Sequence, residues 1–270
     1  MGFIRANVVP MLKEHGRRAF SGSLLTLGMP DVYFTHEQLK GMAQTANVKL
    51  TPADVTLSHN TAFSSRGYIS GDTLFKSMGF ERLSVLDYSA FEGASLEYDL
   101  NRADLPQNLR ERFDVVVDHG TMEHVFHIPN VFQNLFGMLR VGGRMIHSAP
   151  SSNCVDHGFY MFSPTLFYDF YTANKWEINT ILVIAMTPRQ ETEPYFYADY
   201  EPGLFDHVSY GGLGAEIYAT FCVVTKTPES TGHAIPQQGV YTKQKRWQPA
   251  GEPPQVIPTL FQRIKRKLSG

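Results

Sequence analysis

The sequence contains few cysteines, no long apolar run and no excess of charge of one sign. Only two of its 270 residues are cysteine, Cys154 and Cys222, which argues against a disulfide framework or a thiolate zinc cluster and favours a reducing, cytoplasmic setting. The longest aliphatic run, residues 181–186, is far shorter than a bilayer-spanning helix. Because 24 Lys+Arg stand against 26 Asp+Glu, no nucleic-acid partner is expected.

Glycine-rich dinucleotide loops are also missing. No Gly-x-Gly-x-x-Gly follows a predicted strand, which argues against a nicotinamide-dependent enzyme. The composition is typical of a globular protein, with 43% hydrophobic and 19% charged residues. Its length fits one large domain or two small ones.

Short apolar runs alternate with helical periods along the chain. The runs predict strands at 23–27, 83–87, 95–100, 113–118, 144–147, 177–186 and 216–225, and the helical patterns fall at 36–45, 71–78, 129–141 and 164–173. Residues 1–22 resemble a basic lead-in, 23–230 a single domain and 231–270 a basic tail. The alternation predicts an α/β fold with a mostly parallel sheet and helices on both faces.

In such a sheet, ligands bind beyond the carboxyl ends of the strands. Three of the predicted strands end in or near an aspartate: Asp87, Asp99 and Asp118. A carboxylate at position 87 could accept hydrogen bonds from ribose hydroxyls, although a turn or helix cap is equally ordinary for aspartate.

Residues 118–127 concentrate ionisable side chains directly after a buried strand. Histidine and glutamate can both move a proton near neutral pH, which makes Glu123 and His124 candidates for acid–base chemistry. The order Glu-His differs from the His-Glu-x-x-His of zinc proteases, and the spacing of His119, His124 and His127 is not a standard ligand pattern.

Aromatic residues are concentrated between Phe159 and Tyr171. Those at helical spacing are expected in the core, whereas Phe159 and Tyr160 precede the helix and could form a wall of a substrate pocket. A second group, residues 195–200, lies among acidic residues and is expected to be a surface flap, either a lid or a solvated loop.

The stretch FDVVVDHGTMEHVFHIPNVFQNLFGMLRVGGRMIH, residues 113–147, resembles the class I S-adenosylmethionine-dependent methyltransferases. SVLDYS and YDLNRADLP resemble the second and third strands of that family. DHGFYMFSPTLFYDFY is similar to a segment of methyltransferases from bacterial polysaccharide and small-molecule pathways. The resemblance implies a Rossmann-like fold and methyl transfer from S-adenosylmethionine to a small-molecule or sugar-derived acceptor at oxygen.

The resemblance also implies roles for single residues. Asp87 would bind the ribose, with Tyr88 against the adenine and Asp99 and Leu100 at its polar edge, while Asp118, His119 and Gly120 would line the methionine end. His124, Glu123 or His157 would take the proton of the acceptor.

One departure from the family concerns the loop after the first strand, which normally reads Gly-x-Gly-x-Gly. The candidates here are Leu27 to Pro30, which contains Gly28, and a competing strand at 55–58. Because this loop is missing, an alternative function remains: a non-catalytic binding or scaffold protein with the same fold.

A second, partial resemblance concerns metal. Metal-dependent O-methyltransferases of quinone biosynthesis and small-RNA methyltransferases have Glu-x-x-Glu-His here, and they bind magnesium. Glu123 and His124 match its last two positions, but Gly120 replaces the first glutamate; Asp118, His119 or His157 could compensate. The sequence leaves the presence of a metal undecided.

The basic tail carries seven Lys+Arg and one acidic residue over 241–270, with apolar residues spaced like one helix face. Peripheral contact with a membrane or a protein partner is one interpretation, and a solvated or docked terminal helix is the other. The sequence does not give the oligomeric state.

Overall fold

The computed structural model describes residues 2–189, 191–208 and 210–239. The helices are α1 Arg5–Arg17, α2 His36–Thr45, α3 Thr61–Ser64, α4 Gly71–Ser77, α5 Ile128–Met138 and α6 Pro164–Ala173. The strands are β1 Ser23–Leu27, β2 Arg82–Asp87, β3 Leu96–Glu97, β4 Phe113–His119, β5 Leu139–Ser152, β6 Glu177–Met186, β7 Tyr195–Asp199 and β8 Ile217–Thr225. Within these residues no helix is long and apolar enough to cross a membrane.

The eight strands form one sheet in the order β3-β2-β1-β4-β5-β8-β6-β7. The first five are parallel, and β8, β6 and β7 add an antiparallel edge. The order 3-2-1-4-5 is that of a Rossmann sheet, which reverses direction beside β1 and creates a crevice at the carboxyl ends of the strands. The predicted Rossmann-like α/β fold is confirmed.

Helices cover both faces of this sheet. On the central strand, Leu24 packs into one hydrophobic cluster together with α1, α2 and α4, whereas its neighbour Leu25 packs into the other with α5 and α6. Val116 on β4 points to the second face while Val115 and Val117 point to the first. The continuous apolar runs in the sequence follow from burial on both sides.

The structure decides between the two candidates for the first strand. Ser23–Leu27 lies at the centre, hydrogen-bonded to β2 and β4. In the competing segment, Leu57 forms only an isolated bridge with Ile69. The loop after the first strand therefore begins at Gly28.

The segment that the sequence presented as a basic lead-in is helix α1, and this expectation was wrong. Val8, Met11 and Leu12 are fully buried or nearly so, and α1 packs against α2 and β8. Pro10 inside the helix and the basic residues that follow it hid the apolar periodicity.

The boundary between α5 and β5 also differs from prediction. Gly142 and Gly143 do not end a helix: α5 ends at Met138, and the glycines form an irregularity within β5, where the register with β4 shifts. Gly142 has φ +80°, which glycine adopts easily, and a side chain at 143 would lie 2.9 Å from the carbonyl oxygen of Asp114.

The expected flap at 195–200 is instead mainly edge strand β7, paired antiparallel with β6. The third strand is shorter than predicted, Leu96–Glu97. The proposed amphipathic helix of the tail lies outside the described residues.

Candidate active site

A cavity of about 620 Å³ opens at the carboxyl ends of β1, β2 and β4. This is the crevice where Rossmann sheets bind ligands, and the volume falls within the range of about 300–1,000 Å³ that is usual for small-molecule sites. The cavity is lined by most of the residues that the sequence proposed for a cofactor: Gly28, Asp87, Tyr88, Asp99, Leu100, His119 and Gly120.

Gly28 keeps one side of this cavity open. Its φ of +75° favours glycine, and a side-chain carbon built there would lie 3.3 Å from Thr121 Oγ1 and 3.9 Å from Asp87 Oδ2. Thr121 Oγ1 also donates to the carbonyl oxygen of Leu27 at 2.8 Å. A side chain at position 28 would thus occupy the space between β1, Asp87 and the turn after β4.

Two carboxylates border the cavity on the β2–β3 side. Asp87 Oδ1 accepts a hydrogen bond from the backbone N–H of Tyr88 at 2.6 Å. Asp99 Oδ1 accepts from the backbone and side-chain nitrogens of Asn101 at 2.9 and 2.8 Å. Local hydrogen bonds therefore fix both carboxylates, while their second oxygens remain available for a ligand.

Asp118 has a different location from the one the sequence suggested. It is fully buried and does not line the cavity. Its Oδ2 lies 2.9 Å from His147 Nδ1, and its Oδ1 accepts hydrogen bonds from the backbone N–H groups of Thr121 and Met122 at 3.3 and 3.1 Å. Asp118 thus organises the turn beneath the cavity instead of facing it.

A buried hydrogen-bond chain continues from Asp118 to helix α6. Burial holds the pKa of Tyr171 well above its ordinary value, so the phenol stays protonated. The Tyr171 hydroxyl donates to His147 Nε2 at 2.5 Å, which assigns the Nδ1 proton of His147 to the bond with Asp118.

Glu123, His124 and His157 come together at the edge of the cavity. Glu123 Oε1 lies 3.6 Å from His157 Nε2 and 4.0 Å from His124 Nε2, and the two imidazole centroids are 5.1 Å apart. Glu123 is fully buried, whereas the histidine side chains are 46% and 39% exposed. Of the three, only His124 lines the cavity itself.

The loop after β5 brings His157 to this position. The backbone N–H groups of Phe159 and Tyr160 donate to the carbonyl oxygen of Glu123 at 2.8 and 3.2 Å. A side chain at Gly158 would lie 2.9 Å from the same oxygen, so the approach requires glycine. The sequence could not predict this contact between two loops.

Burial shifts the protonation of all three groups. It raises the pKa of Glu123 to about 7, with the nearby Asp118 charge adding to the effect. Burial lowers the pKa of His124, to which the neighbouring His157 contributes, and burial also lowers the pKa of His157. Burial thus disfavours the charged form of each member of the cluster.

No protein-family profile and no curated protein matches this chain. Solved structures that resemble it include a protein of Bacillus halodurans C-125, provisionally named a methyltransferase, with 7% identity over 81% of this chain and 98% of that one (TM-score 0.45). Another is the N-methyltransferase NodS of Bradyrhizobium japonicum WM9 in complex with S-adenosylhomocysteine, with 12% identity over 82% and 85% (TM-score 0.42).

The fold is Rossmann-like. Its basis in this chain is the strand order and the position of the crevice beside β1. The low identities leave the chemistry to be argued from the site.

Several residues that line the cavity were missed from the sequence. Asp31 and Tyr33 border the cavity because the chain after β1 folds back over it, where Phe3 and Val32 form a bridge. Thr121 was overlooked although it stands inside the motif that was singled out. The position of Thr121 between Gly120 and Glu123 is the one signal that could have identified it.

Of the three residues that could replace the missing first glutamate, His157 is the one whose side chain lies within ligand distance of both Glu123 and His124. Asp118 is engaged by His147, and the ring of His119 packs on Phe3 with centroids 4.2 Å apart. His157 is the residue that joins Glu123 and His124.

Proposed function

We propose that this chain transfers a methyl group from S-adenosylmethionine to an oxygen of a small-molecule or sugar-derived acceptor. The observation that carries the proposal is a single cavity with Asp87 and Asp99 along one side and His124 at another. One part of the cavity thus offers carboxylates for a nucleoside, and another offers groups that can accept a proton.

The cavity residues suit the nucleoside part of S-adenosylmethionine. When bound, this cofactor would supply a methyl group activated by its attachment to a sulfonium. Asp87 would accept hydrogen bonds from the ribose hydroxyls, and the 76% exposed Tyr88 would lie against the adenine. Asp99 and Leu100 would border the polar edge of the base.

At the other end, His119 and Gly120 would line the methionine part. Gly28 supports this assignment, because its missing side chain leaves room beside Asp87 that any other residue would fill. The single Gly28, in a tight turn, would then provide the space for the cofactor that the glycine-rich loop provides in the family.

His124, Glu123 and His157 would orient the acceptor and take its proton as its oxygen attacks the methyl carbon. The methyl carbon would pass from the cofactor's sulfur to the acceptor oxygen, and the acceptor's proton would pass to the cluster. Phe126 and Phe159, which are 61% and 67% exposed and meet edge to face, would form an apolar wall for the acceptor beside the cluster.

Calorimetric titration with S-adenosylhomocysteine tests the cofactor assignment. We expect the parent chain to bind and the Asp87→Ala variant to bind about a hundredfold more weakly. Two hydrogen bonds to a carboxylate contribute about 3 kcal/mol at the low end, and about 1.4 kcal/mol corresponds to tenfold.

The matched control is Glu97→Ala, which removes an exposed carboxylate from the neighbouring strand outside the cavity. It should leave binding unchanged. Absence of binding to the parent chain at millimolar ligand would reject the proposal and favour the non-catalytic binding protein.

Transfer itself can be measured with S-adenosylmethionine labelled in the methyl group and a small-molecule extract as the source of acceptors. We expect label in a small-molecule product, and a loss of about a hundredfold or more in rate for the double variant His124→Gln/His157→Gln. Cofactor binding without any labelled product would again favour the non-catalytic alternative.

A further inference from the structure

The carboxylate of Glu123 is buried without a hydrogen-bond partner from any other described residue. The side chain has no exposed surface, and neither of its oxygens accepts a hydrogen bond from any other described residue. Buried carboxylates in folded proteins have hydrogen-bond or ionic partners, because desolvation of the charge is costly. The position therefore calls for a group that lies between the carboxylate and its neighbours.

The two histidines are too far from Glu123 to be that group. The separations of 3.6 and 4.0 Å from Oε1 exceed the range of about 2.7–3.2 Å for an N–H···O hydrogen bond. They are close to the spacing of ligands around a metal ion, since two atoms each about 2.1 Å from a tetrahedral ion stand about 3.4 Å apart. One potential ligand atom from each of the three residues lies within 4.8 Å of the others.

The combination of side chains indicates the kind of ion. Imidazole nitrogen is a ligand of zinc and similar transition metals, whereas magnesium and calcium prefer oxygen. Two histidines and one glutamate form one of the ligand sets that catalytic zinc sites use, leaving a fourth position open.

We propose that Glu123, His124 and His157 bind one divalent transition-metal ion of the zinc class. His124 belongs to both the cluster and the cavity lining, so the ion would lie at the border of the cavity. Metal binding is independent of the proposed function, and only the next step rests on it. The ion would bind the acceptor oxygen as a Lewis acid and lower the pKa of its hydroxyl; because the three side chains would then be ligands, the proton would leave to solvent instead of to the cluster.

The test uses the tag-free full chain, stripped with a chelator and desalted, and titrated with Zn²⁺ by calorimetry and with Co²⁺ by visible absorption. We expect one ion per chain and Co²⁺ bands of a low-symmetry nitrogen and oxygen site. Glu123→Gln and His157→Gln should each weaken binding about a hundredfold or more, because loss of even an outer-shell partner costs about 10–100-fold.

Two control variants change residues close to the ligands and leave the three ligands intact. His127→Gln removes an exposed histidine three residues from His124, and Cys154→Ser removes the thiol in the loop that carries His157. Both variants should bind Zn²⁺ like the parent.

Absence of Zn²⁺ and Co²⁺ binding, or unchanged affinity in both ligand variants, would overturn the site. If Glu123→Gln fails to fold, His157→Gln carries the test, because that side chain is 39% exposed. S-adenosylhomocysteine titration of the same preparation separates the two proposals: metal binding without cofactor binding rejects the methyltransferase and leaves the metal site standing.

Discussion

At about pH 8 and without metal, the Glu123→Gln variant is expected to be more stable than the parent chain by about 2–3 kcal/mol. Burial raises the pKa of Glu123 to about 7 in the folded chain, from 4.5 when unfolded. The folded state therefore holds this proton more tightly. Stability falls as pH rises from about 4.5 to about 7, and it stays reduced above that value. Glutamine fills the same space and does not ionise.

Urea unfolding of both chains at about pH 4 and about pH 8, in the presence of a chelator, measures the effect. The stability difference should be small at the lower pH and appear at the higher one. The exposed Glu97→Gln variant is the control and should follow the parent at both values. A Glu123→Gln variant that is less stable than the parent at about pH 8 would show that the carboxylate has a stabilising partner in the metal-free protein.

Zn²⁺ should cancel most of this difference in stability. An ion that binds only the folded parent stabilises it by about 2.7 kcal/mol at a concentration of about 100 times Kd. The variant, which lacks one ligand, should gain much less. The substitution would then be stabilising without metal and close to neutral with it.

The second large effect concerns Asp118→Ala, which we expect to lower the free energy of unfolding by about 3–5 kcal/mol. The substitution removes the acceptor of three buried or half-buried donors: His147 Nδ1 and the backbone N–H groups of Thr121 and Met122. Each donor left unpaired in the interior costs about 1–3 kcal/mol. Binding of S-adenosylhomocysteine should also weaken, because Thr121 borders the cavity.

Asp118→Asn is the matched variant, since it keeps the size of the side chain and one acceptor oxygen. It should lose less than half as much stability in urea unfolding. A loss below about 1 kcal/mol for Asp118→Ala would contradict the role assigned to this hydrogen-bond chain.

The sequence predicted most strands and the helices α2, α4, α5 and α6, since apolar runs and caps are local signals, but it missed the short helix α3. The Thr35–Gln38 capping box and the start of α6 at Ser163-Pro164 are examples. It failed for α1, where Pro10 interrupts the periodicity, and for β7, whose side chains are mostly exposed and show no alternation in hydropathy. In neither element does the local sequence pattern indicate burial or strand pairing.

The site was predictable in part for the same reason. Gly28, Asp87 and Asp99 follow strands, and the position of strand ends in a parallel sheet brings them together. The contact of His157 with Glu123 depends on two loops that meet through backbone hydrogen bonds, and the inward turn of Asp118 depends on His147 from the next strand. These contacts join segments that are distant in sequence, so no local sequence pattern predicts them.

The central position of β1 also constrains how the chain folds. Its Leu24 is paired with Leu83 on one side and Val115 on the other, both distant in sequence. Closing such long loops is slow, because their entropy is lost before the pairing is gained. During synthesis, β1 stays unpaired along one edge until β4 has left the ribosome. A nascent chain that ends before residue 113 thus exposes an apolar strand edge, where chaperone binding or aggregation would begin.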